Sequence, residues 1–208
     1  ASTAVGSIVN FSLAFIFSVY VLLFKEKLIK ITKKFIVAHF PKKISEKLLD
    51  VGTLTNEAFS GFLKGKLREV FVIIALFSIT MKLLNFPYAL TISVLIGTLT
   101  LIPWFGVFIG FTIGFFLILA IDVKMAFWFL ILFVILYQVE GNLIYPIVVG
   151  KASGLSSIWI FVAGTLGAQM GGIIGLVLSI PIFSVVYNLI ARETNRRLDK
   201  KNIDSFDE

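Results

Sequence analysis

The chain has 208 residues and a net charge of +7, and 58% of its residues are hydrophobic. A mean hydropathy of +1.00 is far above that of a soluble domain of this size, so a soluble globular protein is excluded. The absence of cysteine also excludes disulfides, thiol nucleophiles and thiolate metal sites.

The charged residues are distributed unevenly along the chain. Residues 25–69 hold 11 of the 19 lysines and arginines, whereas residues 70–191 contain three lysines, one aspartate and one glutamate. Because basic segments mark the cytoplasmic side of a membrane, we expect residues 25–69 and the tail from Arg192 to be cytoplasmic. These basic residues flank apolar segments and form no recognisable nucleic-acid module, so no nucleic-acid partner is predicted.

Residues 1–24 are the first predicted element, a transmembrane helix. None of them is charged, and about 20 helical residues cross a bilayer core of about 30 Å. Residues 25–69 follow as amphipathic helices, since Leu28, Ile31 and Phe35 recur at helical spacing between lysines. We expect these helices to lie on membrane lipid with their lysines toward anionic headgroups, or to pack against a neighbouring subunit.

Residues 70–191 are the predicted membrane transport core, and residues 192–208 a cytoplasmic tail. The core contains six apolar segments, at 70–84, 88–102, 107–121, 125–149, 158–170 and 173–190. The second and third segments are short for a full crossing, so they are either two tight spans or a re-entrant hairpin. The fifth and sixth segments leave the same two alternatives open. The fold class is therefore an all-α polytopic membrane protein with broken or re-entrant helices.

Prolines and glycines interrupt these segments. A proline removes a backbone donor, and a glycine permits dihedral angles that other residues avoid. The residues expected to form broken-helix motifs are Pro103, Gly106, Pro146, Gly150 and Pro181.

Glycines also recur every four residues in two triplets. The first starts at Gly106 and continues through Gly110 and Gly114, and the second starts at Gly167. This spacing places small residues on one helix face and favours close helix packing. An alternative interpretation is a pair of broken elements that enclose a substrate site, as in transporters built from repeats.

The most polar stretch of the core lies at the end of an uncharged run. Gln138, Glu140 and Asn142 occur within five positions. A carboxylate at mid-depth in a bilayer costs roughly 2.5–3.5 kcal/mol on insertion scales. Glu140 is therefore either a carboxylate at the membrane surface or a residue facing a polar cavity, where all three side chains would line a substrate or ion pathway.

Several sequence motifs that are typical of enzymes are absent. The chain has no His-Glu-x-x-His zinc motif, no Gly-x-Ser-x-Gly elbow and no P-loop. Its one histidine, His39, lies between lysine pairs and is interpreted as a solvated loop residue. No enzymatic activity, cofactor or metal site is predicted, which leaves a secondary transporter, a channel or a scaffold.

The motifs resemble those of a known family. The pattern begins with Leu101-Ile102-Pro103-Trp104-Phe105-Gly106 and continues with Gln138-Val139-Glu140-Gly141-Asn142 and Pro146. It ends with Gly150-Lys151-Ala152-Ser153-Gly154-Leu155 and Ile180-Pro181. This combination resembles the autoinducer-2 exporter (AI-2E) family of bacterial inner-membrane transporters. Family members usually have further N-terminal helices, so we expect this chain to be a partial one. It also lacks the second proline of the common Pro-Tyr-x-Gly-Pro element, since Val107 follows Gly106.

The resemblance implies a homo-oligomeric secondary transporter, a pentamer, in the bacterial inner membrane. Export of a small polar solute such as autoinducer-2 is the first hypothesis, with Gln138, Glu140 and Asn142 as polar contacts. Sodium–proton antiport is the second, with Glu140 binding a proton and a cation alternately. The third is a membrane scaffold that does not transport.

Overall fold

The computed structural model describes residues 2–144, 147, 155–199 and 201. In this part of the chain the regular secondary structure is entirely helical, with no strand, which confirms the predicted all-α class. The chain forms two compact units, residues 1–53 and residues 54–208.

The first unit begins with two consecutive helices, α1 (Ser2–Leu23) and α2 (Lys25–His39). Backbone hydrogen bonds continue across the junction, since Phe24 N–H bonds the Tyr20 carbonyl and Leu28 N–H bonds the Phe24 carbonyl. No residue of α2 is buried, and its apolar side chains alternate with exposed lysines. What covers this surface, lipid or a neighbouring subunit, stays a prediction.

Helix α2 ends because of a proline. Phe40 adopts an extended conformation (φ −117°, ψ 146°), as expected for the residue before Pro41. The hydroxyl of Ser45 then donates to the Ile36 carbonyl at 3.2 Å and to the Phe40 carbonyl at 3.0 Å. Ser45 is thereby buried in the turn.

Helix α3 runs without interruption from Lys42 to Leu83. Its 42 residues give a length of about 63 Å. The boundary placed after residue 69 by composition therefore falls in the middle of one helix. The change from basic to apolar residues is a change along this helix and not a break in it.

The second unit contains the remainder of α3 from Leu54 and the elements that follow it. These are α4 (Ala89–Leu99), α5 (Phe105–Leu119), α6 (Val123–Val139), a π-helical turn (Glu140–Ile144) and α7 (Ser157–Asp199). Helix α6 begins at an aspartate cap, since the Asp122 carboxylate accepts a hydrogen bond from Met125 N–H at 3.0 Å.

Helices α4 and α5 form a tight antiparallel hairpin. A Cβ on Gly110 would lie 2.8 Å from Ile96 Cα, and one on Gly114 would lie 2.7 Å from Ile92 Cγ2. A Cβ on Gly106 would overlap the Leu99 carbonyl. The first glycine triplet is therefore the face of α5 that packs against α4.

The main core lies between this hairpin, α3 and α6. Its fully or nearly fully buried members are apolar and come from all four helices: Ile73, Phe77, Met81, Ile92, Ile96, Ile118, Ala126, Phe129 and Phe133. This core holds the end of α6 against the interruption between α4 and α5.

Helix α7 folds back on itself at two glycines. Gly171 and Gly172 leave helical geometry, and Gly172 has a φ of 57°, which glycine adopts readily. A Cβ on Gly167 would overlap the Gly175 carbonyl and the Ser179 side chain, so the two halves pack through small residues. Pro181 lies buried inside the second half, and the interruption is at the glycines.

By length and composition, two helical segments of the described residues could cross a membrane, Val123–Ile144 and Ile158–Leu198, and the second of them is the folded-back α7. Three apolar helices are shorter: Val9–Leu23, Ala89–Leu99 and Phe105–Leu119. The six crossings counted from composition stay a prediction.

Candidate functional site

The site begins with a buried stripe on α3 that contains two charged residues. Phe62, Ile73 and Phe77 are buried at helical spacing and face the cores of the second unit. Lys66 and Glu69 lie between them on the same face, and their exposed fractions are 4% and 2%. The helix therefore buries an ammonium and a carboxylate where its periodicity would otherwise place apolar side chains.

The two charges form an ion pair one turn apart. Lys66 Nζ donates to Glu69 Oε1 at 3.0 Å and lies 2.8 Å from Oε2. It also donates to the Thr100 carbonyl oxygen at 3.3 Å. Thr100 immediately follows the last residue of α4, where backbone carbonyls have no partner within the helix. Lys66 therefore satisfies the end of α4 and carries a charge that is favourable at a helix C-terminus.

Glu140 reaches the same region from α6. The buried residues Phe129, Phe133 and Leu136 recur at intervals of three and four, and Glu140 occupies the next position of this stripe. Its exposed fraction is 8%, and its carboxyl group lies within electrostatic reach of both Glu69 and Lys66. It is also the first residue of the π-helical turn, a distortion that often occurs at functional sites.

These three ionisable residues line a cavity of about 180 Å³. Its remaining lining comes from the α4–α5 interruption, the start of α5 and the end of α6: Thr100, Ile102, Pro103, Trp104, Val107, Tyr137 and Gly141. The cavity thus places one buried lysine and two buried glutamates beside a break between two helices. Backbone that leaves the helix at membrane depth is tolerated where protein or a water-filled cavity surrounds it.

Trp104 holds this break in an uncommon backbone conformation. Its φ is 61° and its ψ is −50°, values that non-glycine residues rarely adopt. Its ring packs edge to face on Phe161 at 5.7 Å, and a Cβ on Gly164 would overlap it. Helix α7 therefore leaves room for the Trp104 indole, which closes one side of the cavity.

The match to known proteins covers most of the chain. The family described as AI-2E family transporter matches residues 1–194. The chain belongs to the AI-2E family. This confirms the resemblance drawn from its motifs and makes it a member of a family of membrane transporters.

Curated relatives of this AI-2E chain carry provisional names as transport proteins. YrrI of Bacillus subtilis is 27% identical over 63% of this chain and 37% of its own length. The Synechocystis protein sll0063 is 32% identical over 48% of this chain and 25% of its own length. YtvI of Bacillus subtilis is 23% identical over 87% of this chain and 49% of its own length. The chain thus spans about half the length, or less, of these relatives, and no solved structure matches it at a significant level.

The structure separates the three polar residues of the central stretch. Glu140 faces the cavity, whereas the side chains of Gln138 and Asn142 are exposed. Asn142 Nδ2 donates to the Gln138 carbonyl at 2.9 Å, so this amide is satisfied within its own helix. Of the predicted broken-helix residues, Pro103 lines the cavity and Gly106 packs on Leu99. Pro146 and Gly150 lie outside the described residues.

Two members of the cluster, Lys66 and Glu69, were absent from the prediction. Both lie in the basic amphipathic segment, whose helices are predicted to lie on membrane lipid or to pack against a neighbouring subunit. Helical periodicity was the available signal, because both lie on the stripe that contains Phe62 and Ile73. Within the described residues no group of three or more acidic or histidine side chains could hold a metal ion.

Proposed function

We propose that this chain carries the ion-coupling site of a cation–proton antiporter, with Glu140 as the carboxylate that binds a proton and a monovalent cation in turn. The observation that carries the proposal is the burial of Glu140 beside the Lys66–Glu69 ion pair in one cavity. Membership of the AI-2E family supports the function of a membrane transporter. The transported species and its coupling to protons are our inference.

The charge balance of the cavity supports this proposal. Lys66 and Glu69 compensate each other, which leaves the Glu140 carboxylate as the uncompensated charge. A buried charge without a partner is strongly unfavourable. Glu140 is therefore most stable when it holds either a proton or a cation, which is the alternation that antiport requires.

The position of the neighbouring polar side chains also favours a small ligand. Gln138 and Asn142 do not line the cavity, so they cannot provide hydrogen bonds to a polar solute there. A cavity of about 180 Å³ is below the usual 300–1,000 Å³ of ligand pockets. A proton or a single cation needs no more space than this.

Export of a small polar solute such as autoinducer-2 is the second candidate function. One observation favours it: Trp104 and Tyr137 line the cavity beside the carboxylates. Aromatic faces and hydroxyl groups with a few fixed polar groups are typical of small-molecule sites. In this case Glu140 would accept hydrogen bonds from the solute and would not need to exchange a proton.

Location and assembly are part of the same proposal. Large apolar side chains are exposed along α1 and along α6, for example Phe15, Phe17, Phe127 and Ile131. Such surfaces need lipid or another copy of the chain to cover them. We therefore place the protein in a bacterial cytoplasmic membrane as a multi-pass homo-oligomer, for which the family resemblance favours a pentamer.

Flux measurements in proteoliposomes test the proposal. Vesicles with an internal pH-sensitive dye receive a pulse of NaCl, KCl or choline chloride. Antiport predicts that the lumen becomes alkaline with a transported cation and not with choline. Glu140→Gln should reduce the response to that of empty vesicles, because the amide cannot release a proton. Glu57→Gln is the matched control, since Glu57 is an exposed carboxylate of α3.

The two candidate functions give different results in this assay. A solute exporter would show counterflow of labelled solute without a cation-driven pH change, and Glu140→Gln would retain much of that counterflow. An unchanged pH response in Glu140→Gln, at matched protein levels, would overturn the assignment of Glu140.

A further inference from the structure

The ammonium group of Lys66 occupies a position surrounded by oxygen atoms. Its Nζ lies 3.0 Å and 2.8 Å from the two carboxylate oxygens of Glu69 and 3.3 Å from the Thr100 carbonyl oxygen. Lys66 is almost completely buried. The environment of Nζ therefore combines a carboxylate with a backbone carbonyl at the end of a broken helix.

These are the ligand types that bind alkali cations inside membrane proteins. Carbonyl oxygens at the ends of interrupted helices coordinate Na⁺ in transporters, and rings of carbonyls replace the hydration shell of K⁺ in channels. A lysine ammonium and an alkali cation carry the same charge, and each is stabilised by oxygen atoms. The oxygens around Nζ are therefore suited to either one.

One carboxylate oxygen of Glu69 has remaining capacity for a ligand. Among the described residues no donor points at Oε2 in hydrogen-bond geometry, although this oxygen is buried and lies 2.8 Å from Nζ. Its contact with Lys66 is thus mainly ionic. A spherical cation has no directional requirement and would satisfy this oxygen as well as the ammonium does.

We propose that the position of the Lys66 ammonium is a monovalent-cation site, and that Lys66 occupies it as an internal substitute for the ion. Glu69 and the Thr100 carbonyl are its ligands, and Glu140 lies within electrostatic reach. The inference deepens the proposed antiport, because it identifies where a transported cation would bind once the lysine moves aside.

Removal of the lysine should open the site to an added ion. The experiment measures the thermal unfolding of purified protein in LiCl, NaCl, KCl or choline chloride at equal ionic strength. Lys66→Ala and Lys66→Gln should gain a rise in Tm that saturates with at least one alkali cation and is absent with choline. Wild type and Lys64→Ala should show a much smaller rise, because Lys66 competes with the ion for the site in both proteins. Lys64 is the matched control since it is an exposed lysine of the same helix.

A second substitution locates the effect. In the double variant Lys66→Ala with Glu69→Gln, the cation-specific rise in Tm should disappear because the carboxylate ligand is gone. A rise that persists in the double variant overturns the proposal, as does the absence of any cation-specific rise in both single variants. Failure of both single variants to fold in every salt also overturns it, since a fitting cation would restore the missing charge.

The thermal-unfolding experiment tests the cation site separately from transport. Cation-specific stabilisation without any cation-driven pH change in vesicles would leave the site in place and refute antiport. Antiport without the stabilisation would refute this site and leave Glu140 as the exchanging group.

Discussion

Lys66 and Glu69 lie one turn apart on α3 and form an ion pair that is closed off from solvent, with Nζ 2.8 Å and 3.0 Å from the two carboxylate oxygens. The same ammonium donates to the Thr100 carbonyl. A single lysine thus joins the middle of α3 to the end of α4. Both Lys66 and Thr100 line the cavity.

Substitutions of Lys66 and of Glu69 should lower the free energy of unfolding by different amounts. Loss of one partner of a buried pair typically costs about 3–5 kcal/mol. Lys66→Met should cost more than Glu69→Gln, because it leaves Glu69 and Glu140 together without a positive charge, whereas Glu140 can still compensate Lys66 in the second variant. The measurement is the free energy of unfolding in detergent with choline chloride. Equal losses would show that Glu140 does not interact with the pair.

The glycine face of α5 should not tolerate a methyl group. Gly110→Ala places a Cβ 2.8 Å from Ile96 Cα, so the α4–α5 hairpin must move apart, at a cost of about 1–3 kcal/mol. Gly52→Ala is the control, because no atom lies within 4 Å of the Cβ it adds and alanine favours a helix. Thermal unfolding should separate the two variants. A Gly110→Ala protein as stable as wild type would contradict the observed packing.

A substitution that disrupts the contact between Trp104 and α7 should be partly compensated by a second substitution. Gly164→Ala overlaps atoms Cζ3 and Cη2 of the Trp104 ring. We expect this variant to lose stability and transport, and Trp104→Phe to restore part of both in the same chain, because the smaller ring vacates the space. The check is a double-mutant cycle on Tm and on vesicle flux. Additive losses would show that the two positions do not act through this contact.

The topology predicted from charge can be tested with introduced cysteines, since the chain has none. Ser45 is buried in the turn after α2 and is a poor labelling position, so Glu46→Cys is the better probe. A membrane-impermeant thiol reagent should label Glu46→Cys and Thr194→Cys only after cells are permeabilised. Labelling of either cysteine in intact cells would refute a cytoplasmic location for that segment.

Of the three charged residues that line the cavity, the composition of the chain identified Glu140 and did not identify Lys66 and Glu69. Glu140 could be named because it is a lone carboxylate in a long uncharged stretch. Lys66 and Glu69 lie in residues 25–69, a segment with 11 lysines and arginines in all. Only the phase of the helix distinguishes a buried charge from an exposed one in such a segment. Which face of the helix is buried can be assigned once the positions of the neighbouring helices are known.

The breaks in the helices could be predicted from the sequence only in part. Pro103 removes a backbone donor and the flanking segments are short, so a break between α4 and α5 followed from local chemistry. The role of Trp104 did not, because its conformation depends on the space left by Gly164, 60 positions later in the chain. Likewise, Gln138 and Asn142 were grouped with Glu140 by proximity in sequence, although a helix turns them to another face.

The cavity contains one lysine and two glutamates, so its fixed charges sum to −1 when all three are ionised. One proton or one monovalent cation brings this sum to zero, and a second would leave an excess of positive charge. The cluster therefore has a capacity of one unit charge at a time, and the proposed antiport would exchange one cation for one proton. Such an exchange would be electroneutral, so we expect its rate to depend on the concentrations of the two ions and not on the voltage across the membrane.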